Sequence, residues 1–345
     1  MKETKHLEWI DLLKGITILL VIVGHTIPER STIWILIYSF HIPLFFIISG
    51  YTSKKAEKEK LFTYFFHDVK RIFLPVVVLR FISCLIGVGY KRYDLQTGLL
   101  DMFRRLKWAM VDDATVKYFS FPEIKVPGIG ILWFLMALFV AKTVHRFLLY
   151  IPSKYRVVII FAGLMANMYM GYMKILLPLT LNIVFLVMTF MEFGYELKEY
   201  DVISKSLPRW IYVILTAAWL TATLIYVIYI QIAGNIYKCG LVCVINAFVG
   251  SYMIIKCANA YCRSKISIRP VENMLLNIGV NSMELYAIHF FDGYWMNLWA
   301  LRPFGNELLN MMVLTVMRVV ADSLFLYICV KVKHLFKNGR VTYTN

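Results

Sequence analysis

The sequence predicts an all-α membrane protein, a bundle of about ten transmembrane helices with both termini cytoplasmic and an internal polar channel. Three observations carry that expectation. Of 345 residues, 60% are hydrophobic and 17% charged, and the mean hydropathy is +0.66. Soluble domains sit nearer about 45–50% apolar and about 25% charged. Apolar windows of about twenty residues, the length that spans the hydrocarbon core, recur along the whole chain. Finally, ionisable residues sit inside those windows at helical spacing, where lipid tolerates them only against protein, water or a ligand.

The windows fall at 8–28, 32–51, 72–90, 130–149, 156–172, 175–195, 210–230, 239–257, 272–292 and 308–332. Turns carrying Pro28, Pro152, Pro178, Pro208 and Pro270 separate several of them, because proline cannot continue a helix from its own nitrogen. The first window carries Asp11, Lys14 and His25. At about 100° per residue, Lys14 and His25 fall within about 20° of each other and Asp11 within about 40° of His25. All three share one stripe, with Lys14 and His25 about 16 Å apart along the axis. This run holds two charges and lacks a small-residue cleavage site, so no cleavable signal is expected.

In the second window, His41 and Pro43 stand near the midplane and Ser49 towards the far end. Pro43 removes a backbone hydrogen bond, so a kink is expected, and His41 either satisfies a freed carbonyl or lines a polar cavity. Lys70 and Arg71 precede the third window. Cations belong there by the inside rule alone, and with Lys14 they would also grip phosphate. Arg80 lies deep in that window and is expected to face an internal cavity, since an unpaired cation in lipid is costly.

The stretch 91–128 alternates apolar residues such as Leu99 and Phe103 with Arg104, Arg105 and Lys107. It reads as an amphipathic segment on the outer face, either a surface cover or a lid beside an acceptor. The ninth window places Ser282, Tyr286 and His289 on one stripe, with Glu284 on another side. The tenth carries Arg318 and Asp322 at i, i+4, the spacing of a mutual ion pair.

Loops meant for the inside hold Lys54, Lys60, Lys154, Lys198, Lys205 and Arg263, whereas the short outer loops hold only Arg30, Lys174, Lys238 and Arg302. That asymmetry sets both termini in the cytoplasm. The net charge of +16 sits at helix ends rather than on one face, so it marks topology and phosphate contacts, not nucleic acid. Six cysteines without a CxxC pair read as small core residues, and no metal is expected. The chain reads as one domain over 1–345, with a cytoplasmic tail at 334–345 and no internal repeat.

Taken in order, several stretches resemble the acyltransferase-3 family of multi-pass membrane O-acyltransferases, and within it the fucose 4-O-acetylase-like group. They are Asp11-x-x-Lys14-Gly15 with Val23-Gly24-His25, Phe40-His41-Ile42-Pro43-Leu44 with Ser49-Gly50-Tyr51, Lys70-Arg71, Leu132-Trp133-Phe134-Leu135, Gly194-Tyr195, and Asn281 through His289. The resemblance implies an acyl-CoA donor, most simply acetyl-CoA, bound from the cytoplasm. It also implies a hydroxyl acceptor on a cell-envelope or exported carbohydrate or glycolipid, and a place in the plasma membrane as monomer or homodimer. It makes His25 the catalytic residue and places Lys14 and Arg71 in the donor site; on the residue reading, Lys70 and Arg80 extend that site and Tyr286 or His289 donates to the developing oxyanion. Asp11, His41, Ser49, Trp133, Ser282 and Glu284 would line or orient the channel. Two positions depart from the family pattern: Lys14 stands where an Arg is usual, and Asp68 where many members have a second Arg. The alternative is a transport module of the same fold, for example for amino acids, that performs no acyl transfer.

Overall fold

A computed structural model describes residues 7–54, 60–116, 124–264, 269–295 and 304–339. Of the loop cations that set the orientation, Arg302 lies outside the described residues, as do part of 91–128 and the end of the tail. The helices are α1 (Glu8–Gly24), α2 (Thr32–Tyr38), α3 (His41–Thr52), α4 (Leu61–Asp68), α5 (Leu74–Gly89), α6 (Leu95–Trp108), α7 (Trp133–Leu148), α8 (Ser153–Tyr172) and α9 (Val184–Glu199). They continue with α10 (Arg209–Leu224), α11 (Leu241–Arg263), α12 (Arg269–Val280), α13 (Ser282–Trp295) and α14 (Glu307–Gly339). Two short antiparallel strand pairs are also described: β1 (Ala114–Val116) with β2 (Ile124–Val126), and β3 (Ile230–Gln231) with β4 (Ile236–Tyr237).

Among the described residues, six helical stretches are long and apolar enough to cross a membrane: Thr32–Thr52, Leu61–Gly89, Gly130–Leu148, Pro178–Glu199, Leu241–Arg263 and Glu307–Lys333. The remaining expected spans are shorter, less apolar or broken. The window at 272–292 divides at Asn281 into α12 and α13. The window at 72–90 reaches back to Leu61 through a π-helical turn, Val69–Phe73, so most of the segment read as a loop is helix. At 175–195 the helix starts only at Val184, because Leu179 and Thr180 both take positive φ, 54° and 59°. The tail read from residue 334 is also helical as far as Gly339.

The break between α2 and α3 has a traceable cause. Pro43 offers no N–H to Ser39 one turn earlier, and the chain leaves the helix at Phe40, where φ is −147°. Side chains then meet the broken turn. The buried Trp219 indole donates to Ser39 Oγ at 3.0 Å, and Ser251 Oγ lies 3.4 Å from the Phe40 carbonyl. Gly250 makes room for that indole, since a Cβ there would lie 2.4 Å from Trp219 Nε1.

The chain divides into two compact units, one formed by Met1–Ile37 with Ile254–Asn345 and the other by Tyr38–Met253. Each is built on one close helix crossing. In the first, α1 meets α12: a Cβ on Gly15 would lie 2.1 Å from the Leu275 carbonyl oxygen, and one on Gly279 1.8 Å from that of Asp11. In the second, α3 meets α9, with Gly50 1.8 Å from the Met191 oxygen and Gly194 1.9 Å from that of Ile47 on the same construction. Without side chains, the backbones approach until dispersion acts between main chains, the usual means of helix packing in lipid.

Helix α6 lies on α5 within the second unit. Asp94 caps it: its carboxylate accepts the Thr97 N–H at 2.9 Å and the Thr97 hydroxyl at 2.7 Å. Those bonds, the backbone one foremost, hold the Asp94 carboxyl below the usual carboxylate range. Leu100 and Phe103 are exposed on α6.

Candidate active site

In the first unit, α1 ends one residue before His25, whose N–H still bonds back to the Val21 carbonyl at 3.1 Å. The imidazole therefore leaves the helix end exposed rather than folding along it. Its ring centroid is 5.6 Å from that of His289 on α13, at an interplanar angle of 39°. His289 is buried and turns Nδ1 towards two carboxylates, Asp292 Oδ2 at 2.8 Å and Asp322 Oδ2 at 3.4 Å. With Nδ1 facing acceptors, the network assigns a proton there.

Arg318 on α14 completes the group. Its Nε and one terminal nitrogen grip the two oxygens of Asp292 at 2.5 and 2.6 Å, a two-point fork. Its other terminal nitrogen reaches the His25 carbonyl and Thr26 Oγ1, both at 3.3 Å. The expected Arg318–Asp322 pair is thus replaced. The Asp292 carboxylate accepts two bonds from the guanidinium, and Asp322 is left to His289. The His289, Asp292 and Asp322 ligand atoms lie within 4.8 Å of one another, but Arg318 already occupies both Asp292 oxygens. Its guanidinium supplies the positive charge that a cation would bring.

Tyr286, one turn before His289, is also buried, so the two occupy one buried face of α13. Ser282 opens that helix and is only partly buried. Glu284 points away and holds Lys333 at 3.0 Å on a largely exposed flank. At the other end of α1, Lys14 Nζ contacts Asp11 Oδ1 at 3.0 Å, and Asp11 is buried beside the Gly279 crossing.

The remaining expected residues belong to the second unit. His41 is buried at the start of α3, its ring edge-on to Tyr38 at 4.7 Å. Ser49 receives the Ser53 hydroxyl on its carbonyl at 2.8 Å. Trp133 opens α7 buried against Phe134, whose ring lies 4.9 Å from Phe46. Lys70 and Arg71 are exposed on the π turn. Asp68, buried just before it, lies 3.0 Å from Lys142 Nζ and 2.8 Å from Arg146 on α7, which accounts for an acid where the family pattern has a cation. Arg80 lies beside α6: its guanidinium is 4.0 Å from Asp101, which also accepts Arg105 Nε at 2.6 Å. A cation that deep needs an acid, and α6 provides it.

Sequence reasoning missed a buried network in this unit. Glu192 on α9 meets His145 Nε2 at 2.8 Å and Arg156 Nε at 2.7 Å, while Glu196 meets Arg156 at 2.8 Å and the Ser153 hydroxyl at 2.6 Å. It also missed Asp292, whose only local signal was its place three residues after His289 in a window that ended there.

A protein-family model described as an acyltransferase domain matches residues 7–325. No curated protein and no solved structure matches the chain. The match spans both units and every described residue of the histidine–carboxylate group: this multi-pass membrane protein belongs to the acyltransferase-3 family.

Proposed function

We propose that this chain is an acyl-CoA-dependent O-acyltransferase, most simply an O-acetyltransferase acting on a hydroxyl of a cell-envelope or exported carbohydrate. The observation that carries the reading is the meeting of His25 with His289 at the exposed end of α1, backed by two buried acids and Arg318. His25 takes the proton from the acceptor hydroxyl as its oxygen attacks the acyl carbon. The C–O bond forms, the thioester carbonyl becomes an oxyanion, and collapse breaks the C–S bond. Tyr286 or His289 donates a hydrogen bond to that oxyanion, and burial of both strengthens it.

Lys14 in the first unit, and Lys70 and Arg71 in the second, are each candidates for the donor's phosphates. Lys14 meets phosphate as a point charge, not as a fork, and shares its charge with Asp11. Nothing observed favours a transporter that performs no transfer. Deoxysugars such as fucose belong in the acceptor panel, as the resemblance to the fucose 4-O-acetylase-like group suggests.

The test mixes purified protein with radiolabelled acetyl-CoA and a panel of sugars. Labelled acyl-sugar is expected from wild type, and His25→Ala should lower the rate by about 10³-fold or more. Undiminished transfer by that variant would remove His25 from the chemistry.

A further inference from the structure

The charges around His289 cancel only if the His289–Asp322 pair holds one proton more than a neutral imidazole beside a carboxylate. On its own helix it faces Asp292 and Tyr286; from α14 it faces Arg318 and Asp322; from α1 it faces His25. The charges of α12, Arg269 and Glu272, sit in the first turn of that helix, at the end away from α13. Arg318 and Asp292 cancel in charge, although Asp292 Oδ2 also meets His289 Nδ1 at 2.8 Å. Asp322 remains, 0% exposed, with neither oxygen in a hydrogen bond among the described residues and His289 Nδ1 as its ion-pair partner at 3.4 Å. A buried carboxylate without a countercharge costs several kcal/mol, of order 3–5 when a partner is removed. One exchangeable proton therefore belongs to the His289–Asp322 pair.

We infer that His289, kept protonated by Asp322, is the general acid of the reaction, and that Asp322 is its positioning residue. This rests on the acyl-transfer reading above. Resting His25 is neutral and His289 carries a proton on each nitrogen. His25 accepts the hydroxyl proton as the C–O bond forms. As the C–S electron pair goes to sulfur, His289 Nε2–H gives its proton to the departing thiolate, which leaves as the free thiol. His25 then passes its proton to His289 across the ring contact, and both return to their starting states. One hydroxyl proton is consumed and one thiol proton appears, so no external acid is needed. Tyr286 is left as the oxyanion donor.

The experiment compares two donors, acetyl-CoA and p-nitrothiophenyl acetate, with the sugar that supports the fastest wild-type transfer. The aryl thiolate is a good leaving group without protonation. His289→Gln should lose about 10²-fold with acetyl-CoA and stay within about threefold of wild type with the aryl thioester. Asp322→Asn should move the alkaline limb of the acetyl-CoA pH–rate profile down by about one unit or more, and Asp322→Glu should restore it. Equal losses with both donors for His289→Gln overturn the general-acid role. An Asp322→Asn profile lowered by one factor at every pH overturns the positioning role. Should Asp322→Asn fail to fold, the donor comparison on His289→Gln still decides. His25→Ala separates the two levels: it should lose transfer from both donors, and if it keeps both, the base assignment falls whatever His289 does.

Discussion

The two units each bury a network of the same composition, two acids, one arginine and one histidine, yet they connect it differently. In the second unit Arg156 divides its guanidinium between Glu192 and Glu196, and Ser153 takes part of the load on Glu196. Tyr195 covers the result, its ring 6.1 Å from His145 and 5.2 Å from the Arg156 guanidinium. In the first unit Arg318 spends its fork on Asp292, and among the described residues His289 is the ion-pair partner of Asp322. The histidine there faces a second, exposed histidine instead of an aromatic wall. Shared arginine gives a closed network that ties α7, α8 and α9 together. Unshared arginine leaves a proton to be moved.

The sharpest way to break this comparison is to open the closed network. Arg156→Met leaves two acids without their arginine and should destabilise the protein by about 3–5 kcal/mol, read as a large fall in Tm in detergent. Transfer per folded molecule, measured well below that Tm, should stay near wild type. A specific loss of transfer in folded Arg156→Met would make the second network part of the chemistry.

A smaller effect separates the two glycine crossings. Gly279→Ala and Gly194→Ala each push a methyl into a carbonyl oxygen, at about 1–3 kcal/mol of overpacking. Both should lower Tm alike. Only Gly279→Ala, which displaces the helix that ends at His25, should also lower transfer. Equal transfer in both variants would show that α1 need not be held that closely.

The smallest effect lies outside both networks. Asp94→Ala removes the cap of α6, and hydrogen exchange of the α6 amides should quicken at neutral pH. Because folding depresses the Asp94 pKa, the stabilisation is present above the unfolded value, about 3.9, and disappears as pH falls through the folded one. Wild type and variant should therefore converge in acid. Exchange that differs equally at both pH values would assign the cap another role.

What could be read beforehand follows from what is periodic. One helix carries its own ruler, so the neighbouring of Asp11 and Lys14 on α1 and the shared face of Tyr286 and His289 were legible. So was the disturbance at Pro43, because the missing N–H names the carbonyl it leaves. Partners across helices were not. Arg318 had an acid at i+4 and chose one on another helix. Arg80 looked alone in its window until α6 brought Asp101 beside it. Glu192, His145 and Arg156 come from three helices and share no local pattern at all. The glycines of the two crossings stood in quoted motifs, but nothing in a string of letters says that Gly15 and Gly279 abut.

The π-helical turn at Val69–Phe73 has a consequence in the phase of the long helix around it. Such a turn closes over one more residue than an α turn, so α4 and α5 are out of step by one position. Deleting one residue from the turn would restore a continuous α-helix without losing a span. Everything on the α4 side would then rotate by about 100° relative to α5. Asp68 would swing off Lys142 and Arg146. A single-residue indel there acts as a rotary adjustment, a way to turn one half of a membrane helix against the other while its length and polarity hardly change.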